Sequence, residues 1–364
     1  MKKIISSFLL LFLIILLLVM SGCEMITPPV IYEASPTKIS YDLTYGYRVN
    51  ITGSGRYELS YFCDTPEALK GTITYQKLHP TEFETKILYN NTVIHWNISS
   101  NNPQTYELGI AASVEAESYL VADLDGTDAL TIQQIQEEHP ALITRYTGIQ
   151  ANETIRFIDP ENPQIRTIAN TIYNNEKTNN SFLIAKALFS WLKQNIVYQI
   201  HPEERATRSA EVTLSYKQGD CDDISFLYIS LCRSLDIPAR FIRGYLITDE
   251  LNGIVTATPH AWTEVYVGQP GLLNGWIPIE CACCTPSVVT DINQNFGVES
   301  ASHLRLFTDD GSNASLESSL SGISYITHNP SIIITLDSFA TVTRYQELES
   351  KKLIITKNDT RHYE

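Results

Sequence analysis

Three residues in the second half of the chain have the types and order needed for thiol chemistry: Cys221, His260 and Glu280. Cys221 follows Gly219-Asp220 and opens a run in which Ile224, Phe226, Leu227, Tyr228, Leu231 and Leu235 recur at helical spacing before Pro238. The spacing predicts a helix that begins on the cysteine. There, unpaired N–H groups and the macrodipole favour an anion, so the placement is expected to lower the thiol pKa and to present sulfur at the helix tip. The Cys221 N–H would face the same pocket and could stabilise an oxyanion, and Gly219 would admit a substrate backbone. His260 heads an alternating stretch at 260–267, where an imidazole can take the thiol proton and return it to a leaving amine. Glu280 ends the next alternating stretch, 275–280. If the two strands pair antiparallel, its carboxylate reaches the imidazole and fixes its tautomer.

The surrounding residues carry a family resemblance. Gly219-Asp220-Cys221-Asp222-Asp223, Leu235-Asp236-Ile237-Pro238-Ala239-Arg240, Gly244-Tyr245, His260-Ala261-Trp262 and Gly275-Trp276-Ile277-Pro278 resemble, in order and spacing, the core of the transglutaminase-like superfamily. The resemblance covers roughly residues 155–285. It implies a papain-related fold with a Cys–His–Asp triad, placing the nucleophile on Cys221, the base on His260 and the acid on Glu280, where the family usually has Asp. On this basis Glu280→Asp is expected to retain or raise activity. The resemblance also implies an upstream oxyanion donor, for which Tyr198 and Gln199 are the candidates.

The neighbouring residues read more plainly. Asp222 and Asp223 are carboxylates at a helix start that complement its dipole, and Trp262 and Trp276 are expected in the core. Cys281, Cys283 and Cys284 follow Glu280, where a family member would continue with a Pro-Thr type sequence. Cys63, Cys232, Cys281, Cys283 and Cys284 are an odd number and cannot all pair internally. Cys232 falls on the buried stripe of its helix, and one disulfide involving the 281–284 cluster suits an exported protein. Two other readings remain open. One is a zinc or iron site built from Cys221, His260 and cluster cysteines. The other is a non-catalytic surface binding or assembly protein on the same scaffold. The primary reading takes no cofactor and no metal.

The positioning elements follow from periodicity. Stretches 165–173 and 181–197 show helical apolar stripes, 209–214 reads as a short helix or turn, and strands follow at 239–246, 260–267 and 275–280. Helices followed by an antiparallel sheet make an α+β core in which the nucleophile helix packs on the sheet. Before it, short alternating stretches between 39 and 122, separated by Gly, Asn and Pro, predict a small β-sandwich. The expected organisation is a signal peptide (1–22), a tether (23–37), a β-rich domain (38–150), the transglutaminase-like core (155–296) and a β-containing extension (297–364).

The first residues address the chain outward. Lys2 and Lys3 precede the apolar run from Phe8 to Met20, which as a helix spans only about 20 Å against a hydrocarbon core of about 30 Å. Met20-Ser21-Gly22-Cys23 resembles a lipobox, with lipidation expected at Cys23; a signal anchor is the other membrane attachment considered. Seven N-x-S/T sequons fit the same exported, cell-surface or periplasmic location and allow glycosylation. A net charge of −15 without a basic stripe excludes nucleic acid as a partner. A protein or cell-envelope peptide is the expected substrate.

Overall fold

The structure, a computed structural model, describes residues 28–78, 83–147, 156–201, 207–249, 253–269, 274–282, 285, 287–320, 322–356 and 359–364. The expected signal peptide, Cys23, Cys283 and Cys284 lie outside the described residues.

The alternating stretches of the first third form two four-stranded antiparallel sheets. One runs Ile333–Lys351, Ser35–Thr52, Gln104–Glu117, Gly71–Lys77; the other runs Ile323–Thr327, Tyr57–Asp64, Asn91–Ser100, Phe83–Leu88. Period-2 patterning puts Ile39, Tyr41, Leu43 and Tyr45 on the buried face of one sheet, and Tyr57, Leu59, Tyr61, Trp96 and Ile98 on the buried face of the other. Each fully buried side chain of this size contributes about 1.5–3 kcal/mol.

A third four-stranded sheet positions the chemistry. Its order is Gly275–Ile279, Val255–Gln269, Ala239–Asp249, His303–Thr308, all antiparallel. The helix Cys221–Arg233 packs on it through Phe226, Leu227 and Leu231 against Ala239, Phe241, Ala261 and Val265. Helices Pro163–Glu176 and Ser181–Asn195 complete that core with Ile165, Phe182, Leu188 and Phe189. Gly244 is needed where this sheet is tightest, because a Cβ there would lie 1.8 Å from the Leu304 carbonyl oxygen. The strand bearing His303 can therefore pair closely, with a register shift at Arg243/Gly244, against the strand opposite His260.

The linear organisation read from the sequence differs from this arrangement at three places. From His303 onward the chain is divided among four sheets. His303–Thr308 joins the core sheet, Ile323–Thr327 and Ile333–Lys351 each enter a sheet of the sandwich, and Leu353–Ile355 pairs with Val30–Ile31 and Arg361–Tyr363. The reason is edge protection: Ser35–Thr52 and Tyr57–Asp64 would otherwise each present an unpaired ladder. Residues 30–37, expected in a tether, begin these same sheets. Finally, the helices Ile132–Glu138 and Pro140–Tyr146, expected within the β-rich segment, pack on the core sheet through Ile135 and Tyr146 against Tyr266 and Trp276.

Candidate active site

The loop into the nucleophile helix is set by a capping box. Asp220 is the N-cap, its carboxylate accepting the Asp223 N–H, while Asp223 Oδ2 accepts the Asp220 N–H at 3.3 Å. Asp223 is fully buried and also accepts the Arg208 N–H at 2.8 Å and a 2.7 Å hydrogen bond with His201 Nε2. It is thus an anchor of the helix start rather than only a complement to its dipole. Gly219 serves the same packing. A Cβ there would meet the Asp223 Cβ at 2.6 Å, so its lack of a side chain makes room for Asp223, not for a substrate as expected from sequence.

Cys221 is the first helical residue and half-buried, with its sulfur 3.8 Å from Asp222 Oδ1. The expected acidic thiol is not what the surroundings produce. Burial, then the Asp222 and Asp220 carboxylates, push the thiol well up, against the lowering contact from Ala261. Asp222 itself is pushed up to about 6, by burial first and then by Asp220, with Arg243 opposing. Burial first, and then the carboxylates of the N-cap Asp220 and of Asp222, disfavour the thiolate.

His260 lies 11% exposed at its side chain, with Nε2 2.7 Å from Glu280 Oε2. Burial opposes the imidazolium, yet Glu280, with a smaller contribution from Asp222, raises its pKa above 6.5. With Nε2 committed to the carboxylate, Nδ1 is the nitrogen left to exchange a proton with a thiol. The antiparallel pairing of Val255–Gln269 with Gly275–Ile279 brings Glu280 to this imidazole, as the sequence leads one to expect. Burial disfavours the Glu280 carboxylate, but His260 and His303 together hold it far below the usual range.

His303 was not singled out by sequence. Its Nε2 lies 3.0 Å from the same Glu280 Oε2, and its Nδ1 lies 2.8 Å from Ser300 Oγ. It comes from a strand 23 residues beyond Glu280, in a segment without motif; the alternation of Leu304 and Leu306 around Arg305 was the only available signal.

The other expectations resolve variously. Tyr198 pairs with Gly219 in a short parallel bridge, so Tyr198 and Gln199 do run beside the approach to Cys221. The Gln199 N–H, however, is committed to the Gly219 carbonyl at 2.8 Å, leaving its exposed side chain as the only free donor of that residue. Trp262 is buried as expected and donates to Glu299 Oε2 at 2.9 Å, and Trp276 is buried too. Cys63, Cys221, Cys232 and Cys281 are free thiols. Cys281 is buried, 3.7 Å from Thr263 Oγ1, and burial pushes its thiol strongly up. Burial likewise pushes the Cys232 thiol up to about 12, in keeping with an inert core thiol.

Potential metal ligands were tested by the donor sets. Among the described residues, His260, Glu280 and His303 form one group with donor atoms within 4.8 Å, and His201, Asp220 and Asp223 form another. Neither contains a cysteine, so the Cys221–His260–cysteine set is not assembled by the described cysteines.

A cleft of about 410 Å³ opens beside the site, between the sandwich and the core sheet. Tyr45, Tyr47 and Tyr61 wall one side; Arg243, Tyr245 and Pro259 wall the other. Pro259 directly precedes His260, and Gly244, also in the wall, is the register partner of His260. Arg243 spans the floor to Asp64 at 3.0 Å.

A helix opening on a cysteine, packed against an antiparallel sheet that carries a histidine and a carboxylate in hydrogen-bonded contact, defines the papain-like α+β class. Residues 166–281 match the model of the transglutaminase-like superfamily, so this part of the chain is a transglutaminase-like domain. Over 92% of this chain and 100% of the other, the fold is similar to that of a candidate cysteine protease from Cytophaga hutchinsonii, with a TM-score of 0.54 and 15% identity. The periplasmic domain of TgpA from Pseudomonas aeruginosa is a more distant match, with a TM-score of 0.33 and 13% identity over 65% of this chain and 87% of that one. No curated protein matches the chain. Among the described residues no helix is long and apolar enough to cross a membrane.

Proposed function

We propose that this protein is an exported thiol enzyme that cleaves amide bonds in a protein or cell-envelope peptide through a Cys221 thioester. The observation that carries the reading is the 2.7 Å contact of His260 Nε2 with Glu280 on the sheet against which the helix opening on Cys221 packs, all within the transglutaminase-like segment.

The geometry suits a sequence in which the thiol proton passes to His260 Nδ1 as the sulfur attacks the carbonyl carbon. The imidazolium, supported by Glu280, then protonates the leaving amine as the C–N bond breaks, and a thioester remains. Water, deprotonated by the neutral imidazole, cleaves the C–S bond and returns the proton to sulfur. Because burial and two carboxylates keep the free thiol protonated, His260 supplies the base at the moment of attack and no standing thiolate is required. The Cys221 N–H, at the helix N-terminus, is the candidate oxyanion donor. The aromatic cleft beside Pro259 offers room for a chain segment, which favours a polymeric substrate. Hydrolysis is preferred to cross-linking, since transfer requires an amine that outcompetes water.

Export rests on the layout of residues 1–23, with lipid attachment at Cys23 or a signal anchor holding the chain at the outer face of the membrane. Incubating wild type and Cys221→Ala with protein and cell-wall peptide libraries, with and without an added primary amine, tests the activity. Wild-type-specific cleavage supports the proposal. Products that appear equally with Cys221→Ala would refute it.

A further inference from the structure

We propose that His303 is a positioning residue of the site, fixing the Glu280 carboxylate on which the orientation of His260 depends; this rests on the triad reading above. Glu280 is held by three donors. Its Oε1 accepts the Ala282 N–H at 2.7 Å, and its Oε2 is shared by His260 Nε2 at 2.7 Å and His303 Nε2 at 3.0 Å. Its backbone N–H is itself tied to the Asn295 carbonyl at 2.9 Å. Because an ionised carboxylate can only accept, His303 presents Nε2–H to Glu280, and Nδ1 of the neutral ring is then free to accept from Ser300 Oγ–H.

The ring has no freedom to leave. It is buried and meets Trp262 edge-on at 4.7 Å, while Trp262 stacks along His260 at 6.0 Å. The approach of its strand depends on Gly244, which faces His260 on one side and Leu304 on the other. His303 thus reaches the site from a fourth strand, outside the 166–281 segment in which the family pattern lies.

This arrangement also gives a physical reason for glutamate at 280. A carboxylate that must satisfy the Ala282 N–H and two imidazoles on different strands needs reach, and glutamate has one methylene more than aspartate.

A role beyond packing makes a specific prediction. Each N–H on Oε2 withdraws charge that would otherwise stabilise the His260 imidazolium, so removing His303 should raise the His260 pKa. The other titratable groups that act on His260 are Glu280 and Asp222, and neither is altered by the substitution.

The experiment measures Cys221 alkylation by iodoacetamide from pH 5 to 10, with thermal unfolding, in wild type, His303→Phe and His303→Gln. Phe keeps the aromatic contact with Trp262 and removes the donor, whereas Gln offers an amide N–H in its place. His303→Phe should move the acid limb upward by about half a pH unit or more and lower the plateau rate about 10- to 100-fold through a misplaced imidazole. His303→Gln should restore most of both. If Phe does not fold, His303→Asn, too short to reach Oε2, takes its place with the same expectation. An unmoved profile accompanied only by lower thermal stability would reduce His303 to packing and overturn the proposal. His260→Ala separates the two readings. If it slows alkylation while His303→Phe leaves the profile unchanged, only the role of His303 fails; if His260→Ala has no effect, the triad reading fails.

Discussion

Glu264 and Glu280 are buried carboxylates of the same sheet, each gripped by two side chains, and the nature of the grip separates structure from chemistry. Glu264 is held by guanidiniums, Arg305 at 2.6 Å and Arg240 at 2.7 Å, and Arg305 bridges on to Glu299. Burial alone would raise its pKa, but Arg305 and Arg240 bring it down to about 2. Its partners stay charged across the working range of pH, so the charges are matched and fixed. Glu280 is held by the imidazoles of His260 and His303, at 2.7 and 3.0 Å. One cluster is a network of fixed charges that ties strands together; the other joins a carboxylate to side chains that can also exist neutral.

The comparison can be broken first by deletion. Glu280→Ala should lower turnover by about 10³- to 10⁴-fold, as expected when a triad loses the group that holds its histidine, with a cooperative fold retained in urea unfolding. Glu264→Ala should do the reverse, leaving Arg240 without its carboxylate and Arg305 with Glu299 alone, at a cost of about 3–5 kcal/mol. Equal effects of the two on both readouts would erase the distinction.

The next largest effect lies in pH-dependent stability. The Glu264 pKa is depressed from 4.5 to about 2, so its contribution is fully present above 4.5 and is lost as pH falls toward 2. The His260 pKa is raised above 6.5, so its contribution is present below 6.5 and is lost as pH rises through the raised value. Glu264→Gln should flatten the acid side of the stability curve and His260→Gln the neutral-to-alkaline side, measured by urea midpoints from pH 2 to 10.

Glu280→Asp sharpens the account further. The family pattern by itself led to the expectation that aspartate would serve as well or better. The three donors converging on Glu280 reverse this expectation. The shorter acid should lower turnover by about 10-fold through lost orientation, read as kcat with KM little changed. The smallest effect belongs to Asp222, which bonds the thiol and raises its pKa. Asp222→Asn should accelerate alkylation of Cys221 a few-fold at fixed pH, about what a fraction of a pKa unit gives.

Much of the site was legible because its signals are local. A helix beginning at Cys221, strands carrying His260 and ending at Glu280, and their antiparallel pairing all follow from apolar period and turn residues. What stayed hidden is non-local. His303 reaches Glu280 only because its strand pairs across Gly244, and nothing in its own sequence context records that partner. The return of Ile323–Thr327 and Ile333–Lys351 to the sandwich is likewise set by edges left open some 270 residues earlier. The burial and the carboxylates that oppose the helix dipole at Cys221 are likewise set by packing that the local sequence does not record.

The central claim is that His260, not a standing thiolate, activates Cys221. It is tested most directly by the pH–rate profile of Cys221 alkylation in wild type and in His260→Ala, with Cys221→Ala defining background labelling. The account predicts a wild-type profile that rises with an apparent pKa near that of an elevated histidine, and a His260→Ala profile displaced to strongly alkaline pH with little reaction at neutrality. Coincident profiles, or labelling that is unchanged in Cys221→Ala, would contradict it.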